Sequence, residues 1–246
     1  TKKIYIFFDL VLQKMSKCEK CNKKATIVLK TFQACNSCFI KIIEQRVRKE
    51  IRETKIFNDF LKNNNLSKGK KKQLILINDK SLKYLFNKYF FSKFLSQNFN
   101  KKIEIKEIKI NPFTKNEKIG LINHLIKKSL KELKNKKLEK TSKIFILPWL
   151  LDDESSLFIE SIFNNKKTDY LTHFYYNKSF YFKPLIHLSY DELVLYLKIK
   201  KIITKNNANK KKLTEETILN NLLKEYPEIN FAILKSENDL KKQIIL

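Results

Sequence analysis

The chain has 246 residues, 43% of them hydrophobic, room for one globular domain and a small accessory module. No apolar run is long enough to cross a bilayer as a helix, so no membrane partner is expected. The net charge of +27, from 52 Lys and Arg against 25 Asp and Glu, points to a polyanionic partner, nucleic acid first. Heavy use of Lys, Asn and Ile beside only 2 Gly suggests an AT-rich coding sequence, which raises Lys whatever the protein does.

Residues 1–14 precede the only methionine, Met15, and are set apart as an extension. A short positive stretch before an apolar run resembles a signal peptide, but no small-residue cleavage site follows. A short strand, a tail or sequence upstream of a start at Met15 accommodates it as well. The cysteine-bearing segment begins directly after Met15, which favours the last.

Thr26–Lys30 reads as a short strand. Phe39–Glu53 reads as a helix with Phe39, Ile42, Ile43, Val47 and Ile51 on one face and Arg46, Arg48 and Lys49 flanking it. The polar stretch Lys62–Lys72 reads as a linker. The chain then divides into residues 15–61, a metal module with its basic helix, 62–72, the linker, and 73–246, the main domain.

Gln73–Ile77 is a buried strand by composition, and Leu82 to Phe94 has helical spacing. Ile103 to Ile110 predicts a second strand, Ile119–Leu138 a helix, and Ile144–Leu147 a third strand. Asp152 to Phe163 predicts a helix with an acidic first turn. His173–Tyr176 and Phe180–Lys183 suit a hairpin. Ser189 with Glu192 forms a capping-box pattern opening a helix to about Lys200. Lys205–Lys212 is a basic loop and Thr214–Glu225 a helix. Strands alternating with helices predict an α/β fold with a parallel sheet.

The four cysteines are Cys18, Cys21, Cys35 and Cys38, in CEKC and CNSC with 13 residues between the pairs. A CxxC turn aims two sulfurs at one cation, and two such turns complete a tetrahedron. A structural Zn2+ is the expected cofactor, because four thiolates leave no open position for water. Two CxxC pairs also fit a reducing compartment. Zinc supplies roughly 10–16 kcal/mol to comparable small peptides, and about 35 residues bury too little apolar surface to fold alone. Unpaired thiols, a redox pair or an iron–sulfur cluster are the alternatives. The division into module and domain implies that losing a ligand such as Cys35 unfolds the module and leaves the main domain standing.

CEKC, a short strand and CNSCF running into the basic helix IKIIEQRVRKEI resemble the start of the cytosolic tRNA 2-thiolation proteins. That family comprises two related subunits, each with a zinc module before an α/β domain of the PP-loop ATP pyrophosphatase kind. LILINDKS, ILPWLLDDESS, KPLIHLSYDELVLYL and LTEETILNNLLKEYPEINFAIL resemble later family segments, in order. The resemblance implies a Rossmann-like PP-loop domain, an N-terminal zinc ribbon and a cytoplasmic location. It also implies three partners: a catalytic thiolase subunit, tRNA, and a ubiquitin-related modifier as sulfur carrier.

The family's phosphate loop reads roughly Ser-Gly-Gly-x-x-Ser. Here the place holds Asn78, Asp79, Lys80 and Ser81 without glycine, and Asp79 adds a negative charge where phosphates should sit. The second motif keeps Asp152 and Asp153 but has Pro148-Trp149 where glycine and histidine are expected. No cysteine follows Cys38 for sulfur chemistry. These departures imply a pseudoenzyme, the non-catalytic member of the pair, with no ATP expected and no catalytic residue. The rivals are a divergent catalytic subunit and an unrelated zinc-ribbon nucleic-acid-binding protein.

Arg46, Arg48 and Lys49 are the best candidates for tRNA backbone contact, as a cationic, solvated helix face braced by the metal module. Lys70, Lys71 and Lys72 suit either tRNA contact or a solvated linker, as do Lys210–Lys212. Asp152-Asp153 also has a plain reading as a helix N-terminus, and Trp149 reads as core.

Overall fold

The computed structural model describes residues 17–29, 32–54, 60, 72–98, 103–109, 143–163, 173–176, 179–203 and 228–244. The N-terminal part has a two-stranded antiparallel hairpin, β1 (Ile27–Leu29) and β2 (Phe32–Ala34), followed by helix α1 (Asn36–Glu53). Strand β2 was not legible in the three-residue segment FQA, too short to show a period. Helix α1 starts three residues earlier than the apolar spacing indicates, because Cys35 takes the extended N-cap conformation.

The main sheet has five strands: β3 (Lys72–Asn78), β4 (Ile103–Lys109), β5 (Lys143–Ile146), β6 (His173–Tyr176) and β7 (Ser179–Phe182), in the order β4-β3-β5-β7-β6. The first four positions in that order run parallel, and β6 closes one edge as an antiparallel hairpin with β7. Leu74, Ile75 and Leu76 are all buried, as a central parallel strand requires. In β4 only Ile103 is buried and Ile108 is exposed, which suits its place at the other edge.

Helices α2 (Leu82–Asn98), α3 (Leu151–Phe163), α4 (Tyr190–Ile199) and α5 (Ile229–Ile244) complete the described elements. The Ser189–Glu192 capping box is present in full at the start of α4. Helix α5 lies in a segment that the sequence presents only as a proline-containing step. Among its described side chains Asn230 and Leu234 are buried. It packs against α3, with Leu151, Ile186 and Leu234 forming a small cluster. The expected helices Ile119–Leu138 and Thr214–Glu225, the loop Lys205–Lys212, the extension 1–14, and Lys70 and Lys71 lie outside the described residues.

Leu74, Leu76, Ile144, Ile146, Phe180 and Phe182 join Phe86, Phe90, Leu193 and Tyr196 in one core. The same cluster continues without a break through Phe39, Ile43, Val47 and Ile51 of α1 to Cys18 and Cys35. Helix α1 therefore docks on α4, and the cysteine module and the sheet share one interior. This removes the physical ground for expecting the main domain to stand unaffected when the module is lost. Lys72 opens β3 instead of ending a solvated linker; it is buried, with its ammonium 5.8 Å from the Phe60 ring centre.

Candidate metal centre and the crevice at the switch point

The first CxxC sits in a tight turn. The Cys18 amide donates to the Lys23 carbonyl at 2.7 Å and the Asn22 amide to the Cys18 carbonyl at 2.9 Å. Asn22 supplies the left-handed residue, φ 58°, that such a turn requires and that asparagine tolerates. The second CxxC is the first turn of α1: Cys35 is the N-cap, and Cys38 follows within the helix.

The four Sγ atoms lie within 4.8 Å of one another, and Cys21 Sγ is 3.6 Å from Cys35 Sγ. Tetrahedral zinc at about 2.3 Å from each sulfur asks for sulfur–sulfur edges of about 3.8 Å. The donor set fits. The thiols also compete for protons in a way a dication would relieve. The Ser37 hydroxyl, 3.2 Å from its sulfur, and the Cys38 amide bring Cys35 down to about 6. Hydrogen bonding to the Cys21 and Cys35 sulfurs pushes Cys38 up to about 12.

In the main sheet the chain builds β4 on one side of β3 and then β5 on the other. The crevice at their carboxyl ends is the switch point where α/β sheets bind ligands. The segment 78–81 and the pair Asp152-Asp153 lie on either side of it. Lys83 Nζ of α2 is 2.7 Å from Asp153 Oδ1, tying one motif to the other.

Local bonds occupy the phosphate-loop position. Asp79 Oδ1 accepts from the Ser81 amide at 3.1 Å and from the Ser81 hydroxyl. Ser81 Oγ accepts from the Tyr84 amide at 3.3 Å, and Asn78 Oδ1 from the Lys80 amide at 3.1 Å. Lys80 keeps the left-handed backbone, φ 60°, that a glycine would adopt at less cost. A carboxylate and a hydroxyl thus take the amides at the start of α2 that a phosphate would otherwise receive.

Asp152 and Asp153 are engaged as helix-terminus residues. Asp153 Oδ2 accepts from the Leu150 amide at 2.8 Å. Asp152 accepts from the Tyr190 amide at 2.6 Å and from Asn230 Nδ2 at 3.0 Å, joining α3 to α4 and α5. Burial, partly offset by the Tyr190 amide, pushes Asp152 up to about 6. Trp149 is buried as expected. Its indole N–H donates to Glu154, which also pairs with Lys183 at 2.9 Å, fully enclosed. Sequence reasoning passed over Glu154 and Lys183, because partners 29 residues apart carry no spacing signal.

The basic helix face differs from the solvated one expected. Arg46 Nη1 pairs with Glu192 at 2.6 Å and its guanidinium lies 5.6 Å from the Phe32 ring centre. Arg48 lies over Phe90 and Phe94 at 5.8 and 5.4 Å. The cause is the docking of α1: its flanking cations meet α4 and α2 and keep only about a third of their side-chain surface in solvent. Only Lys49 stays mostly exposed, 3.7 Å from Glu53. A cavity of about 500 Å³ lies beside the module, with Glu19 and Glu228 as well as Lys20 and Arg46 in its wall.

No family model matches the chain. Over 35 residues it is 46% identical to cytoplasmic tRNA 2-thiolation protein 2 of Schizosaccharomyces pombe, a stretch covering 14% of this chain. The match spans a tenth (10%) of that relative's length. The chain is similar in structure to the U34-tRNA thiolase NcsA of Methanococcus maripaludis, solved with its 4Fe–4S cluster. TM-score is 0.57 at 17% identity, covering 91% of this chain and 86% of that one. The chain therefore shares the α/β fold of that thiolase, with a four-cysteine cluster near its N-terminus suited to a zinc ribbon. No described helix is long and apolar enough to cross a membrane.

Proposed function

We propose that the chain is a non-catalytic subunit in 2-thiolation of the tRNA wobble uridine, acting in the cytoplasm by binding tRNA and a catalytic PP-loop paralogue. A ubiquitin-related modifier would deliver sulfur to that paralogue. The observation that carries the reading is the Asp79 carboxylate, bonded to the Ser81 amide and hydroxyl where a PP-loop offers bare amides to a phosphate. The 35-residue stretch that is 46% identical to a protein named for tRNA 2-thiolation supports the pathway. Cys18, Cys21, Cys35 and Cys38 would hold a structural zinc, which fixes the start of α1 and performs no chemistry on substrate.

The test is affinity purification of the tagged full chain. A PP-loop protein with its glycines intact should co-purify, and the pair should thiolate tRNA while the isolated chain neither hydrolyses ATP nor adenylates tRNA. Turnover by the isolated chain, abolished in Ser81→Ala, would establish the divergent catalytic subunit instead. Stable tRNA binding with no such paralogue recovered would favour an unrelated nucleic-acid-binding protein.

A further inference from the structure

Glu44 stands where α1, α2 and α4 meet, and cations from all three helices gather on it. Lys200 Nζ is 3.6 Å and Lys93 Nζ 3.7 Å from its Oε1, and Arg48 Nη2 is 3.9 Å from its Oε2. Those separations are too long for tight ion pairs; the one short contact is the Tyr196 hydroxyl, donating to Oε1 at 3.0 Å. One carboxylate is thus shared among three cations, and the group carries an excess of positive charge.

Two of the three cations, Arg48 and Lys200, are also held in place by aromatic rings. Arg48 rests on the Phe90 and Phe94 rings, and Lys200 lies over Tyr89 and Tyr196 at 6.0 and 5.8 Å. Side-chain exposures are 33% for Arg48 and 39% for Lys93 against 15% for Glu44, so these two cations are the more accessible, while Lys200 at 19% is nearly as enclosed as the carboxylate. Burial, then the Glu44 charge, holds the Tyr196 phenol well above its ordinary range, so it stays a donor to Glu44.

We propose that Arg48, Lys93 and Lys200 form a preorganised site for RNA phosphodiester groups, with Glu44 as an internal counter-charge that spaces the three cations. The inference rests on the tRNA reading above and moves its main contact from the α1 face to the junction of three helices. Positive groups fixed by packing lose little freedom when a phosphate arrives, and backbone contacts of this kind position an RNA without reading its sequence. Surface lysines on mobile side chains lack that advantage. The chain's charge of +27 supplies the long-range attraction.

The experiment is fluorescence anisotropy of the full chain with in vitro transcribed tRNA across a salt series. Lys93→Gln with Lys200→Gln should weaken binding roughly tenfold near 0.15 M salt and lower the salt slope by about 0.7–0.9 for each phosphate no longer neutralised. Glu44→Gln keeps an acceptor for Tyr196 and removes the counter-charge, so it should tighten binding roughly threefold. A merely structural role for Glu44 predicts no tightening. Lys41→Gln, on the exposed part of α1, should change little. If wild type binds tRNA and the double variant binds it equally, the site is misplaced while the tRNA reading stands. If wild type shows no salt-dependent tRNA binding, both fail. If the double variant keeps tRNA but no longer retains the co-purifying paralogue, the cations serve an acidic protein surface and the proposal is overturned.

Discussion

Arg46 and Glu192, separated by 146 residues in sequence, form a 2.6 Å ion pair that joins α1 to the first turn of α4. Glu192 is nearly inaccessible and also completes the capping box with Ser189, so its charge has few other ways to be balanced. Arg46→Glu should destabilise the fold by roughly 3 kcal/mol, the usual cost of leaving a buried charge unpaired. Urea unfolding checks this. A cost below about 0.5 kcal/mol would mark the pair as a surface one. Any weakening of RNA binding in this variant has to be read against that destabilisation.

Elemental analysis of anaerobically purified protein should give one zinc per chain; iron at that level would identify a cluster instead. Because Cys18 and Cys35 share a core with Tyr196, Cys35→Ser should lower the melting temperature of the sheet domain as well as that of the module. Far-UV and near-UV melts should move together. Disappearance of a small separate transition, with the main one fixed, would show that the module folds independently.

In the turn at residues 78–81, Lys80→Gly should relieve left-handed strain and stabilise the protein by up to about 1 kcal/mol after the flexibility penalty. Asp79→Ala should cost about 1 kcal/mol by removing the acceptor at the start of α2. Under the proposed function, neither variant nor their combination hydrolyses ATP. Turnover in the glycine variant would overturn that expectation.

The Asp152 carboxyl, raised from 3.8 to about 6, binds its proton more tightly in the folded state. Its contribution to stability is therefore full below about pH 4 and lost as pH rises through 6, by on the order of 2–3 kcal/mol. Asp152→Asn should be more stable than wild type at pH 7, and the difference should vanish near pH 4. For its amide to fit, the Asn230 amide must turn over and present Oδ1 where Nδ2 now donates to Asp152. Urea unfolding from pH 4 to pH 8 tests the sign. A wild type that gains on the variant as pH rises would refute it.

Strong local signals were read well from sequence. The CxxC pairs announce their turns, QLILI announces a buried strand, and Ser189 with Glu192 announces a helix start, because each is encoded within a few neighbouring residues. Relationships between distant segments were not readable. The flanking charges of Arg46 and Arg48 look solvated on a helical projection, and only the docking of α1 onto α4 turns them inward. Only the i,i+4 pairing of Glu44 with Arg48 is legible in sequence; its other partners come from positions 93, 196 and 200. Helix α5 escaped because Pro227 just before it drew the reading to a break in the chain, while Leu234 packs with Leu151 and Ile186.

The docking of α1 has a consequence for synthesis. Glu44 and Tyr196 are 152 residues apart, so a helix made early must wait for a partner made late. Until Tyr196 leaves the ribosome, Phe39, Ile43, Val47 and Ile51 have no α4 to pack against, and contacts of such long range form slowly. Early capture of a metal ion by Cys18, Cys21, Cys35 and Cys38 would keep the start of α1 ordered through that interval. Metal-starved cells should then lose the newly made chain to aggregation or proteolysis while protein folded beforehand persists.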